Sequence, residues 1–184
     1  MSDERQFTDL GGERLHEGEV VDVDRQRFRF DADGTRVEQD VVRHPGGVAI
    51  VAHDGVHVFL VRQPRPAVGE TALLELPAGR LDHPGESVLE AARRELAEEL
   101  GRSAERWTPL TRFYPSVDVF DSEVHVFLAE QLGERHADSG EDERIEVVAW
   151  PLDRLDEAIA ATRDAKTLIG LLMLARVLLE RSTR

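Results

Sequence analysis

The sequence predicts an α+β protein: an α/β/α sandwich around a mixed β-sheet, with a β-rich segment at its N-terminus. Three observations lead there. Short β-type runs come first, one strongly patterned helix interrupts them, and two helices close the chain after further β-type runs. Hydrophobic residues make up 41% and charged residues 33% of 184 residues, a globular balance with enough chain for one core and an appendage. No apolar run approaches the ~20 residues needed to cross a bilayer.

Residues 1–44 read as the β-rich segment. Glu19–Val23 and Gln26–Phe30 are short β-type runs, Asp33-Gly34 is a tight-turn dipeptide, and Arg36–Val42 reads as a returning strand. Such a hairpin is marginal alone in water, so it must pack on the main domain or on a second copy of the chain.

Residues 45–184 read as the main domain. Val48–Ala52 is an apolar run, Asp54-Gly55 a hairpin turn, and His57–Arg62 the next strand. Leu73–Leu76 then runs into Pro77-Ala78-Gly79. A helix is expected over Ser87–Leu100, with Leu89, Ala92, Leu96 and Leu100 as its core stripe and Gly101 as its stop. Strands are expected at Pro109–Phe113, Val124–Glu130 and Ile145–Trp150, with a polar loop at Arg135–Arg144. The closing helices fall at Leu152–Ala161 and Asp164–Glu180. In the second, Leu168, Leu171, Leu172, Ala175, Leu178 and Leu179 share a face that Ile169, Met173 and Val177 widen, so it is expected to be well buried.

Asp and Glu number 37 against 23 Lys and Arg, a net charge of −14. That balance argues against broad nucleic-acid binding, which needs basic patches to displace counterions. It argues equally against an anionic membrane surface. Cysteine is absent, which excludes disulfides and thiolate metal sites. The opening MSDERQFTDL is polar and acidic, unlike a secretory signal, and a cytoplasmic protein is expected. The histidines form no metal-ligand motif, and no P-loop or Ser-His-Asp signature occurs. Lys166 is the only lysine; the dominance of arginine reads as genome composition bias.

The chemistry concentrates in one helix. Glu95, Glu98 and Glu99 lie at i, i+3 and i+4 and share a face. Like charges so placed destabilise a bare helix by roughly 0.2–0.5 kcal/mol per pair. Crowding them makes sense around a hard divalent cation, and Mg²⁺ takes oxygen ligands together with water and substrate phosphates.

From Gly79 to Arg102 the chain resembles the Nudix box, through Gly79, Glu86 and Arg94-Glu95-Leu96-Ala97-Glu98-Glu99-Leu100-Gly101. Two positions depart from it. Six residues rather than five separate Gly79 from Glu86, and Arg102 holds the last apolar place; the extra residue is expected to bulge in the loop and Arg102 to sit at a solvated helix end. Arg62-Gln63-Pro64-Arg65 and Glu75-Leu76-Pro77-Ala78-Gly79 resemble the ADP-ribose pyrophosphatase branch of that family. Glu141–Val147 is similar to the branch's acidic loop, and Asp164–Ile169 to the start of its final helix. The branch's Ser-Pro-Gly is missing from Tyr114–Glu123.

The resemblance implies hydrolysis of a nucleoside diphosphate linked to another group, dependent on Mg²⁺ with Mn²⁺ as a substitute. ADP-ribose is the first choice of this small-molecule substrate; a nucleotide sugar, a dinucleotide, or a binding module without catalysis are the alternatives. It implies metal ligation by Glu95, Glu98, Glu99 and the Ala78 carbonyl, and an orienting ion pair between Glu86 and Arg94. Glu143 is the expected general base, with Glu141 as understudy and Glu98 as competitor. Arg62, Arg65, Glu75 and Gly79 are the expected substrate-binding residues. A homodimer built through the N-terminal strands also follows from the resemblance.

Overall fold

The N-terminal residues form a three-stranded antiparallel sheet in the computed structural model, which describes residues 6–135 and 144–183. Its strands are β1 (Phe7–Glu17), β2 (Asp22–Phe30) and β3 (Arg36–Arg43), in the order β1-β2-β3. Of the two short runs expected at 19–23 and 26–30, the second and only the end of the first fall in one strand, β2, which begins at Asp22; residues 19–21 precede it outside any strand. The sequence reading missed β1, because it is exposed along almost its whole length and shows no buried alternation. Asp33-Gly34 does turn the chain, with Gly34 at a φ of 72° that glycine adopts without a Cβ penalty. Residues 114–122 belong to this unit: Val42 bridges Phe120, and Arg43 ion-pairs with both Asp24 and Asp121 at 2.9 and 3.0 Å.

The second unit comprises residues 46–113 and 123–184. Its elements are β4 (Gly47–His53), β5 (His57–Arg65), β6 (Glu70–Glu75), β7 (Ala78–Arg80), α1 (Val88–Leu100), β8 (Arg102–Phe113), β9 (Val124–Glu134), β10 (Glu146–Pro151), α2 (Leu155–Ala161) and α3 (Ala165–Ser182). The sheet runs β10-β5-β4-β9-β8, with β6 added to β5 and β7 to β4. Among the described strands of this sheet only β4 and β9 pair in parallel, so the sheet is mixed, as expected.

β4 is buried throughout, and its alternation divides the core. Val48, Ile50 and Ala52 face one cluster with Ala91, Ala92 and Leu96 of α1. Ala49 and Val51 face the other, with Leu155 and Ala158 of α2 and Leu171 and Leu174 of α3. Helices therefore cover both faces, which gives the α/β/α sandwich. The stripe of α1 runs through Val88 and Ala91 as well as Ala92, Leu96 and Leu100; Leu89, expected in it, is outside the cluster.

α3 departs from its expected burial. Thr167, Gly170, Leu171 and Leu174 meet the sheet, whereas Leu168, Leu172 and Leu179 are exposed. Gly170 fixes which side turns inward: a Cβ there would stand 2.4 Å from Leu76 Cδ1 and 3.0 Å from Val51 Cγ2. Among the described residues no helix is long and apolar enough to cross a membrane.

Candidate active site

The site is set by the start and stop of α1. Ser87 caps it: its Oγ accepts the Glu90 N–H at 3.3 Å, and Glu90 Oε2 accepts the Ser87 N–H at 2.8 Å. Gly101, at a φ of 63°, ends the helix in the left-handed conformation. With both ends fixed and Leu96 in the core, Glu95 and Glu99 are drawn inward, while Glu98 stays partly exposed.

Two features of the segment before the helix receive these carboxylates. The Ala78 N–H donates to Glu99 Oε2 at 3.1 Å. The Glu95 carboxylate lies against Gly79, where any side chain would collide with it. Glycine therefore leaves the space that the Glu95 carboxylate occupies, a matter of close approach and not of backbone angle, since Gly79 carries no positive φ.

Arg94 gathers the remaining acids. Its Nε and Nη2 donate to the two Glu86 oxygens at 3.0 and 3.1 Å, a bidentate pair. Its Nη1 donates to Glu95 Oε1 at 2.6 Å and to Glu98 Oε2 at 3.0 Å, and Nη2 also reaches the Arg80 carbonyl at 3.4 Å. The Glu86 hydrogen bond, aided by Glu95 and Glu98, holds the guanidinium even more firmly protonated than usual against the opposing effect of burial.

The extra residue before Glu86 is absorbed in a turn, where Gly85 has a φ of 81° and the Glu86 N–H donates to the His83 carbonyl at 3.2 Å. Arg102 does not lie at a solvated helix end. It opens β8 and stacks its guanidinium 4.3 Å above the Phe59 ring, an attraction between a cation and an aromatic face.

The expected substrate-binding residues separate. Arg65 and Glu75 come together: Nε donates to Oε1 at 2.6 Å and Nη2 to Oε2 at 2.9 Å. That pair, chiefly the Glu75 hydrogen bonds, raises the Arg65 pKa, and the charges of Glu99 and Asp164 add to it. Arg62 stands in register with Leu74 and Glu146, and its side chain has no hydrogen bond or ion pair among the described residues. Glu141 and Glu143 lie outside the described residues.

Sequence reasoning gave Lys166 no weight. Its Nζ donates to Glu75 Oε2 at 2.5 Å and to Asp164 Oδ2 at 2.9 Å, so the single lysine joins the Arg65–Glu75 pair. Its uniqueness in an arginine-rich chain was the available signal.

Among the described residues no three His, Asp or Glu side chains form a closed cation cage as they stand. Glu95 and Glu98 instead converge on one positive nitrogen, Arg94 Nη1. Carboxylates that meet around a positive charge, with Glu99 on the next turn, make an all-oxygen donor set that suits Mg²⁺ or Mn²⁺.

The NUDIX domain model matches residues 43–171. An ADP-ribose pyrophosphatase of Bacillus subtilis (strain 168) is 35% identical over 163 residues, which cover 86% of each chain. A methanol dehydrogenase activator of Bacillus methanolicus is 31% identical over 163 residues, again 86% of each. A crystal structure of an ADP compounds hydrolase superposes with a TM-score of 0.83 at 25% identity, covering 98% of both chains.

Proposed function

This chain belongs to the NUDIX family, and from that premise we propose that it hydrolyses the pyrophosphate bond of ADP-ribose to AMP and ribose 5-phosphate, with Mg²⁺ as cofactor and Mn²⁺ as a substitute. The observation that carries the reading is the convergence of Glu86, Glu95 and Glu98 on Arg94, with Glu99 tied to the Ala78 N–H beside them. The B. subtilis relative, named an ADP-ribose pyrophosphatase, supports the substrate.

Attack on phosphorus requires a deprotonated water, neutralised phosphate oxygens and a departing phosphate. A divalent ion held by Glu95, Glu98, Glu99 and the Ala78 carbonyl would lower the pKa of water and absorb negative charge. Glu86 keeps Arg94 anchored, so the carboxylates hold their places as charge moves. Arg65 binds a phosphate oxygen through the edge of its guanidinium that Glu75 does not use. Glu143 accepts the proton of the attacking water, with Glu141 or Glu98 as substitutes. The oxygen of water joins one phosphorus, and the bridging oxygen leaves with the other.

The protein is proposed to act as a homodimer in the cytoplasm. Exposed Phe7, Leu10 and Leu15 on β1 support the first, and the cysteine-free composition suits a reducing compartment. Sedimentation as a monomer would remove the dimer.

The test is hydrolysis of ADP-ribose, a nucleotide sugar, NADH and a diadenosine polyphosphate with Mg²⁺, products being resolved by chromatography. AMP from ADP-ribose at the highest kcat/KM is expected. Preference for another substrate would keep the chemistry and move the substrate assignment. Binding without turnover would favour a nucleotide-binding module.

A further inference from the structure

Glu75 is 1% exposed, and its carboxylate is held from two directions. Arg65 takes both oxygens through Nε and Nη2, and Lys166 takes Oε2 through Nζ. Lys166 is itself held by Asp164, the residue that caps α3 by accepting the Thr167 N–H at 3.0 Å. Thr167 Oγ1 donates to the same Asp164 oxygen and accepts the Leu76 N–H at 2.7 Å. The circuit closes on itself, because Leu76 follows Glu75 in the chain. It ties the end of β6 to the first turn of α3.

The members of this circuit differ in what they show to solvent. The Arg65 side chain is 42% exposed, that of Lys166 19%. Arg65 Nη1 has no hydrogen bond among the described residues, so one edge of its guanidinium is open while the other is fixed. The two-point fork sets the plane of the buried carboxylate, but the Arg65–Glu75 pair can still shift together about the flexible torsions of both side chains. The ammonium on Oε2 removes that freedom.

Charge leads to the same residue. Without Lys166, Glu75 and Asp164 would set two negative charges around Arg65, leaving the group net negative and repelling a phosphate. Lysine brings the charges of Arg65, Glu75, Asp164 and Lys166 to zero, leaving Glu99, whose charge also reaches Arg65, for the divalent ion to offset. It is also suited to the place: a compact ammonium meets two carboxylates at one point, where a planar guanidinium fork would need more room.

We propose that Lys166 is a positioning residue that locks Glu75 and so presents the open edge of Arg65 to a phosphate oxygen of a nucleoside diphosphate derivative. The inference rests on the hydrolase reading for its substrate class.

The experiment is a double-mutant cycle. ADP-ribose binding by calorimetry and steady-state kinetics are measured for wild type, Lys166→Met, Arg65→Ala and the double variant. Lys166→Met should weaken Kd and raise KM on the order of tenfold, the scale of a charged hydrogen bond, with kcat within about twofold. In the Arg65→Ala background the same change should add less than about twofold. Lys166→Arg should recover part of the lost affinity. An equal loss in both backgrounds, or an unchanged Kd, overturns the inference. Should Lys166→Met fail to fold, Lys166→Gln, which keeps a neutral donor, replaces it under the same criteria. Binding without turnover in wild type would overturn the hydrolase reading alone, since the cycle is still read in Kd. Absence of binding by wild type would overturn both.

Discussion

The carboxylate of Glu95 lies where a side chain on Gly79 would have to stand: a Cβ built there would be 1.8 Å from Oε1 and 1.9 Å from Cδ. Gly79→Ala must therefore push Glu95 away from Arg94. Hydrolysis should fall by roughly two orders of magnitude, because misplacing a catalytic group by about 1 Å costs about that much. The melting temperature should move by only a few degrees, given that the carboxylate can swing outward. Kinetics and a thermal melt on the same sample check both halves.

Arg94→Lys keeps the charge and loses the fork. A lysine cannot make the bidentate contact to Glu86 while also bridging Glu95 and Glu98. The variant should lose activity and also be less stable, on the order of 2 kcal/mol for a partly buried charged network. Denaturant titration reads the second effect; full stability in the variant would mean that Arg94 contributes nothing to holding the acids.

Thr167 is fully buried and is the acceptor for the Leu76 N–H. Thr167→Val keeps the shape and strands that donor. A loss of about 1–3 kcal/mol is expected, the cost of one buried unsatisfied group. Hydrogen exchange at Leu76 should quicken more than at the centre of β4.

Acid stability should depend on Glu130. This buried carboxylate accepts bonds from Arg181 at 2.6 and 3.1 Å and from Arg106 at 3.0 Å, and the Arg181 bonds foremost hold its pKa down to about 2. Its folded pKa is depressed, so its contribution is full above the ordinary carboxylate range and is lost as pH falls toward about 2. His53, whose Nε2 lies 3.2 Å from Glu130 Oε1, has its pKa lowered by burial and resists protonation, so it too destabilises the fold as pH drops below the ordinary imidazole range. Glu130→Gln should melt lower at pH 7 and show a shallower loss of stability between pH 5 and 2, by up to ~3 kcal/mol. Parallel curves for the two proteins would remove Glu130 from that role.

What the sequence made legible had local causes. The helix α1 could be read because its cap at Ser87, its period and its stop at Gly101 lie within one stretch, as does the acid spacing on it. The turns at Asp33-Gly34 and Asp54-Gly55 carry their own chemistry. β1 could not be read, since a strand exposed along its length has no apolar face to reveal it. The inward side of α3 was obscured by leucines on every side; the small Gly170 and the capped Thr167 identify it, but only once Leu76 and Val51 are seen to press against it. Arg102 looked like a helix terminus until the ring of Phe59, distant in sequence, was placed beneath it. Lys166 likewise acquires meaning from Glu75, a residue on another element.

The parallel pairing of β4 with β9 also sets the timetable of folding. Gly47 lies opposite Val124 and Ala52 opposite Ala129, partners roughly 77 positions apart. Contacts of such long range form late, because the chain between them must first be confined. On the ribosome, β4 can meet its hairpin partner β5 early, yet its other edge stays open until residues beyond Ala129 have left the exit tunnel. A nascent chain stalled before that point would expose the main-chain edge of a strand that is apolar from Val48 to Ala52, the kind of surface that recruits chaperones or pairs with its neighbours.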